Sequence, residues 1–325
     1  MIYITDYIQS FEIEKKVIGQ KLLTYKKDDN KKSKAKVLLV WHYELNESSL
    51  KNFPEAHTIV RYGVGVDNID LNFCQSKGIK VFNNPDYGID EVSDSAIAMI
   101  LNLSRNITFY DKKSRHLFLN PNQKFPWQEN TENSSLRLKD SSLGLIGVGR
   151  IGSAVALKMK NIIGEINFYD PYVSSGYEKV ISANRFESLY SMLSKSDIVS
   201  LHTPLNEETS GMVNDVFIKK MRKGSILINT SRGGIIESLD CIYNGIVSGN
   251  LGAVGLDVLP TEPPDKSLRE KLLLSWANQN KISERVIINP HTSYYSPQSY
   301  EEMRYKAAEM SLKAMEGNLK RNRII

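Results

Sequence analysis

Strand-sized apolar runs recur along the chain, separated by stretches whose apolar residues fall three and four positions apart. In the first third the runs lie in YITDY (3–7), KLLTY (21–25), KVLLVW (36–41), TIVRYG (58–63) and KVFNN (80–84), the last ending before Pro85. Alternation of this kind predicts an α/β unit with a small parallel sheet. Between Asp90 and Arg115, the positions Val92, Ala96, Met99, Ile100 and Leu103 keep helical spacing. They predict one long amphipathic helix able to carry the chain from one domain to the next. Residues 118–137 are polar, contain Pro121 and Pro126, and read as a long loop.

A second alternating run follows. Its expected strands are Leu143–Gly147, Ile166–Asp170, Ile198–His202, Ser225–Thr230, Ala253–Asp257 and Val286–Asn289. Helix-period stretches such as RFESLYSMLSKS, NDVFIKKMRKG and SLDCIYNGIVSG separate them. Six strands alternating with helices predict a doubly wound sheet, whose ligands sit at the carboxyl ends of the strands. A final helix over Pro297–Leu319 is expected to return to the first domain. The expected division is residues 1–104, completed by 293–325, and residues 105–292.

Composition adds mainly exclusions. At 325 residues the chain is long enough for two cores, and 41% apolar with 24% charged residues is an ordinary globular balance. No apolar stretch is long enough to span a bilayer. Asp6, Glu12 and Glu14 stand where a secretion signal needs a basic and then an apolar region, so a cytoplasmic location and no membrane partner are expected. Cys74 and Cys241 cannot make a disulfide framework and have no metal-ligand neighbours, so free thiols and no metal are expected. The net charge of +5 is mild, and its densest stretch, Lys26 to Lys36, is interrupted by Asp28, Asp29 and Asn30. That reads as a solvated loop, with no nucleic-acid partner.

The chemistry gathers in the second run. Gly147-Val148-Gly149-Arg150-Ile151-Gly152 follows a strand and opens a helix-like stretch. The first glycine permits a tight turn, the second lets backbone approach a pyrophosphate, and the third lets helix and strand pack closely. Asp170 lies 18 residues beyond the third glycine, at a strand end, where a carboxylate can bind a ribose diol and repel a 2′-phosphate. It is followed by Pro171 and Tyr172, with no arginine, so NAD is expected over NADP.

Arg232, Glu262 and His291 each follow a strand, 30 and 29 residues apart, which is about one strand–helix unit. All three are therefore expected on one sheet edge. Singly, each reads as well as a surface arginine, a loop acid and a turn-capping histidine. Together they suit hydride transfer to a 2-oxo acid. Arginine is a charged fork for a carboxylate, histidine exchanges a proton near neutral pH, and a carboxylate can orient its ring.

Seven segments then resemble the D-isomer-specific 2-hydroxyacid dehydrogenases over nearly the whole chain. They are RYGVGVDNID (61–70), NNPDYGIDEVSDSAIAMILNLSR (83–105), GLIGVGRIG (144–152), HTPLNEETSGMVN (202–214), NTSRGG (229–234), GLDVLPTEPP (255–264) and NPHTSYYS (289–296). The resemblance implies two doubly wound parallel-sheet domains, a Rossmann NAD-binding domain and a flavodoxin-like substrate domain. It implies that Arg232, Glu262 and His291 are catalytic. For NAD it implies the glycine loop with Arg150 and Ile151, together with Asp170, Thr203, Pro204, Thr209, Thr230, Ser231, Arg232, Asp257 and His291. Among these, Asp257 matches the ligand of the nicotinamide carboxamide. The substrate carboxylate loop matches Gly63, Val64 and Gly65, and a homodimer is implied.

The segments look most like the C-terminal-binding-protein-like branch, which includes corepressors as well as enzymes. Its pocket residues match His42, Arg61 and Tyr294. The corepressors carry tryptophan at Tyr294, so pocket shape does not transfer. His42 reads equally as the end of a core strand, and Tyr294 and Tyr295 as packing residues at a domain junction. Ser231 replaces a residue that is usually alanine in the family. Glu262 argues against formate oxidation, where the histidine pairs with glutamine. An NAD(H)-binding interaction module and a phosphite oxidase share the same features. No second basic cluster is visible for a phosphate or a second carboxylate, so the expected substrate is a small 2-oxo or 2-hydroxy acid with a modest, largely apolar side chain.

Overall fold

A computed structural model describes residues 1–120, 135–265, 267, 270–278 and 282–325. The chain divides into two compact units, Met1–Gly88 with Tyr295–Ile325, and Ile89–Tyr294.

The first unit holds β1 (Ile2–Ile4), α1 (Glu12–Ile18), β2 (Leu22–Thr24), β3 (Val37–Val40), α2 (Glu47–Leu50), β4 (Thr58–Arg61), α3 (Leu71–Ser76) and β5 (Lys80–Phe82). The strands are all parallel, in the order β2-β1-β3-β4-β5. That is the flavodoxin-like winding. Its strands carry short apolar runs, such as Val37–Val40, because both faces are covered. Along β3, Val37 and Leu39 enter one core with Ile18, while Leu38 and Val40 enter the other with Leu50 and Cys74.

The second unit begins with α4 (Ile89–Arg105) and α5 (Ile107–Leu119). Then come β6 (Ser142–Ile146), α6 (Arg150–Met159), β7 (Glu165–Tyr169), α7 (Tyr177–Ile181), β8 (Asn184–Arg185), α8 (Leu189–Lys195) and β9 (Ile198–Leu201). It closes with α9 (Asp215–Lys220), β10 (Ser225–Asn229), α10 (Leu239–Val247), β11 (Leu251–Leu256), α11 (Lys271–Ala277) and β12 (Val286–Ile288). Its parallel sheet runs β12-β11-β10-β9-β6-β7-β8, reversing direction between β9 and β6. This is the Rossmann winding, with the reversal beside the loop that follows β6. The last helix, α12 (Pro297–Met315), belongs to the first unit, where Met303, Ala307 and Ala308 pack into the core beneath β1, β3 and β4.

Three expectations change. The single helix over Asp90–Arg115 is two helices, because Asn106 takes a left-handed conformation (φ 53°) that ends α4 and starts α5. Asparagine tolerates that region better than most residues. The polar stretch expected as a loop from 118 is still helical through Leu119. The unit boundary falls before α4 instead of near 104, since Ala96, Met99, Ile100 and Leu103 bury against α6, β10 and β11. The second sheet also gains β8, two residues paired to β7. Phe125, Trp127 and the other residues of 121–134 lie outside the described residues.

Among the described residues, no helix is long and apolar enough to cross a membrane, and no three His, Cys, Asp or Glu side chains are grouped to hold a metal. Both cysteines are buried, and burial pushes the Cys74 thiol up to about 11, so both are packing residues.

Candidate active site

The glycine loop joins β6 to α6 at the sheet's reversal. Gly147 has φ +84°, and a Cβ there would lie 2.9 Å from the His202 carbonyl oxygen. A Cβ on Gly152 would lie 2.1 Å from the Gly147 carbonyl, so only glycine allows the helix to start this close to the strand. A Cβ on Gly149 would meet nothing within 4 Å, which leaves backbone and helix N-terminus open to a ligand. Asp170 accepts from the amides of Val148 (2.9 Å) and Tyr172 (3.0 Å). It is thus tied to the loop it was expected to serve.

The Thr203 and Thr230 hydroxyls are buried, with no hydrogen-bond partner among the described residues. A buried polar atom without a partner is what a bound nucleotide would satisfy. Together with the open face at Gly149, they fit a dinucleotide. Thr209 is spent on its own turn, donating to the Pro204 carbonyl (2.6 Å), and Ser231 donates to Asn229 (2.8 Å). Arg150 is exposed and Ile151 half-buried at the start of α6.

One arginine escapes the sequence pattern. Arg185, on β8, lies 3.5 Å from the Asp170 carbonyl oxygen and closer to those of Val173 (3.1 Å) and Ser174 (2.7 Å). Its Nε pairs with Glu178 (3.2 Å). It braces the 170–178 segment through backbone and Glu178.

At the carboxyl ends of β10, β11 and β12, Arg232, Glu262 and His291 come to one sheet edge, as their spacing implied. His291 Nδ1–H donates to Glu262 Oε2 (2.7 Å), and the Leu259 amide donates to Glu262 Oε1 (2.7 Å). Burial opposes ionisation of Glu262, but these two hydrogen bonds and the charges of His291 and Arg232 outweigh it, holding the carboxyl below its ordinary value.

The loops carrying the three residues are pressed together. A Cβ on Gly233 would lie 1.8 Å from the Leu259 carbonyl oxygen, so glycine beside Arg232 is required by that approach. Asn229 fixes the Arg232 turn by donating to its carbonyl (2.9 Å). Asp257 is buried, and its carboxylate accepts from the amides of Thr292 (2.9 Å) and Ser293 (3.0 Å). Its carbonyl accepts from the His291 amide (2.8 Å). Held this way, His291 adopts φ 54°, a left-handed conformation seldom seen outside glycine, asparagine and aspartate. Tyr294, half-buried, ends this unit.

In the first unit, His42 is exposed beyond β3, its ring stacked on Trp41 (5.0 Å between centroids). Arg61 ends β4, and its Nε donates to Asn68 (3.1 Å). The carbonyls of Gly63 and Val64 are taken by the Asn84 amide (3.1 Å) and the Asn83 side chain (2.7 Å). The N–H groups of the same loop are the donors it can offer. Tyr295 packs on Tyr300 (6.0 Å) within this unit. Asp6, Asn68, Asn83 and Asn84 were not singled out by the sequence pattern. The available signal was that Asp6, Asn83 and Asn84 lie just beyond a strand's carboxyl end and Asn68 in the loop that follows β4.

A Rossmann sheet with a dinucleotide cradle and a carboxylate–imidazole pair at the same edge defines a nucleotide-dependent oxidoreductase. Residues 97–293, more than half of the chain, match the model for the NAD-binding domain of D-isomer specific 2-hydroxyacid dehydrogenases. A hydroxypyruvate reductase from Thermotoga maritima is 34% identical over 72% of this chain and 69% of its own length. The protein belongs to the D-isomer specific 2-hydroxyacid dehydrogenase family, NAD-dependent oxidoreductases acting on a CH–OH group.

C-terminal-binding protein 1 of Caenorhabditis elegans is 29% identical over 88% of this chain, which spans only 38% of that longer protein. Among solved structures, D-lactate dehydrogenase from Aquifex aeolicus, complexed with NAD and lactic acid, is 28% identical. It covers 99% of this chain and 98% of its own, with a TM-score of 0.82.

Proposed function

We propose that the protein interconverts a small 2-oxo acid and its D-2-hydroxy acid, and the observation that carries this is the 2.7 Å bond between His291 Nδ1 and Glu262 Oε2. That bond commits Nδ1 and leaves Nε2 as the nitrogen that exchanges a proton. Bound NADH supplies the hydride. Arg232 binds the substrate's carboxylate and polarises its carbonyl. As the carbonyl carbon gains the hydride, the oxygen takes a proton from His291 Nε2, and Glu262 stabilises the imidazolium before the transfer. In the oxidising direction the same nitrogen accepts the hydroxyl proton.

Arg61, the Gly63–Gly65 amides, His42 and Tyr294 are assigned to the substrate on the family resemblance. Gly147–Gly152, Asp170, Thr203, Pro204, Thr209, Thr230, Ser231 and Asp257 are assigned to the nucleotide. The site asks for one carboxylate and a short apolar or hydroxymethyl side chain, in keeping with the relatives named for hydroxypyruvate and D-lactate.

The likeness to C-terminal-binding protein 1 suggests a second reading, an NAD(H)-binding interaction module. The intact Arg232, Glu262 and His291 set favours turnover. NADH oxidation with pyruvate, hydroxypyruvate, 2-oxobutanoate, 2-oxoisocaproate, 2-oxoglutarate and 3-phosphohydroxypyruvate, and NAD reduction with phosphite, separates these. The expected result is the highest kcat/KM on an uncharged side chain of modest size. A preference for the phosphorylated or dicarboxylic acid overturns the substrate assignment, turnover of phosphite alone replaces the reaction, and NADH binding without any turnover supports the interaction module. We also propose a cytoplasmic homodimer, and a monomer mass by light scattering at micromolar concentration would reject the dimer.

A further inference from the structure

Just past β1, the Asp6 carboxylate gathers consecutive amides from the segment that follows β3. Oδ2 accepts from Trp41 (2.8 Å), and Oδ1 from His42 (2.6 Å) and Tyr43 (2.9 Å). Thr5 donates its hydroxyl to Oδ2 (2.7 Å), and Asp6 is buried.

The carbonyls of the same segment are held from the other side. Asn68 Nδ2 donates to Tyr43 O (2.8 Å) and Trp41 O (3.3 Å). The backbone continues the stitch, with the Leu45 amide donating to Asn68 O (2.9 Å) and the Asp70 amide to Leu45 O (2.8 Å). The remaining face of the Asn68 amide, Oδ1, accepts from Arg61 Nε (3.1 Å). The two carbonyls can only accept and the guanidinium can only donate, so the orientation of this amide is dictated by its partners.

A side chain that merely closed the turn after β3 would need the first two bonds only. The third reaches Arg61 and fixes the plane of its guanidinium, which lies against Gly63. A Cβ on Gly63 would stand 3.2 Å from Arg61 Nη1, so the missing side chain makes room for that position.

We propose that Asn68, backed by Asp6, is a positioning residue for substrate recognition, holding Arg61 and the His42 segment as one preorganised unit for the substrate's carboxylate end. This rests on the assignment of Arg61 to the substrate above. An arginine held at Nε has the plane of its guanidinium fixed before a carboxylate arrives, and ordering done before binding is not charged to binding. The clamp is expected to act on substrate affinity.

The test is a double-mutant cycle read in KM for pyruvate and hydroxypyruvate with NADH, with NADH affinity measured by fluorescence. Asn68→Leu should raise KM about tenfold, as expected for losing one hydrogen bond to a charged group. It should leave kcat within about twofold and NADH affinity unchanged, since uniform binding is what is removed. Arg61→Met should raise KM at least as much, and Arg61→Met/Asn68→Leu no further than Arg61→Met alone. Asn68→Ser, which leaves room for water, repeats the cycle should the leucine variant fail to fold. Asp6→Asn, which turns an amide toward one of the held N–H groups, should raise KM in the same direction.

Wild-type KM in both Asn68 variants, or an additive double variant, overturns the proposal while leaving the reaction intact. Wild-type KM in Asp6→Asn removes Asp6 from it. An unchanged KM in Arg61→Met rejects the placement of Arg61 at the substrate and the clamp with it. Wild-type protein that reduces no 2-oxo acid rejects the proposed reaction itself, before any variant is compared.

Discussion

Replacing His291 should abolish turnover while NADH still binds, with kcat falling roughly 10²–10⁴-fold as expected for losing a positioned acid–base group. The residue to introduce is decided by the backbone. With φ 54°, His291 sits where alanine is disfavoured and asparagine is tolerated. His291→Ala therefore mixes lost chemistry with a strained turn, costing on the order of 1 kcal/mol, and His291→Asn separates the two. Both should still bind NADH by fluorescence, and a wild-type kcat in either rejects the assignment.

Glu262→Gln should lose less, about tenfold, because an amide oxygen still accepts the Nδ1–H while the charge that favours imidazolium is gone. The pH dependence follows from the lowered Glu262 carboxyl. A carboxyl whose folded value is depressed contributes stability fully above its unfolded value and loses it as pH falls through the folded one. Glu262 therefore stays charged at and somewhat below its ordinary value of 4.5, and any limb of the kcat/KM profile between about pH 6 and 8 must come from another group. A profile in which Glu262→Gln keeps that limb but moves it to lower pH, because the charge favouring the protonated partner is gone, fits this. Loss of that limb would make Glu262 the titrating acid.

The second large effect is expected at Asp170. Wild-type protein should prefer NADH to NADPH by about 100-fold or more, since a 2′-phosphate would be brought against a carboxylate, and each tenfold corresponds to about 1.4 kcal/mol. Asp170→Arg should shift the kcat/KM ratio toward NADPH by a similar factor. The structure adds a cost that the motif alone does not reveal. Asp170 also accepts from the amides of Val148 and Tyr172, so removing it loosens the glycine loop itself. Affinity for NADH should therefore fall beyond what lost ribose contacts explain, and Asp170→Asn, which puts an amide N–H against one of those donors, should weaken NADH without gaining NADPH. Arg185, already near this edge, does not offset the carboxylate, because Glu178 and backbone carbonyls use its Nε, Nη1 and Nη2. Wild-type preference for NADPH would reject the ribose assignment.

Much of this protein can be read along the chain. Parallel strands buried on both faces are rich in apolar residues, so β3 shows as an unbroken run and β6, β9 and β10 as runs broken only by serine, glycine or asparagine. Residues that follow parallel strands of one sheet emerge at one edge, so the spacing of Arg232, Glu262 and His291 places them on the same edge. The glycine loop is local in sequence and carries its own geometry.

What only the tertiary structure decided lacks a local pattern. The break at Asn106 is a single backbone rotation between two segments that both keep helical spacing, so periodicity passes over it. β8 is two residues long and exists through pairing with β7, with no apolar run of its own. The Asp6 clamp joins residues 35 to 37 positions apart. It requires β1, β3 and β4 to end side by side, and that order is fixed by which apolar faces pack, not by any segment's own preference. Arg185 meets the Asp170 segment, and Gly233 meets Leu259, for the same reason. Hydrogen bonds between loops are set by where the sheet delivers them, and the sheet order is a property of the whole core.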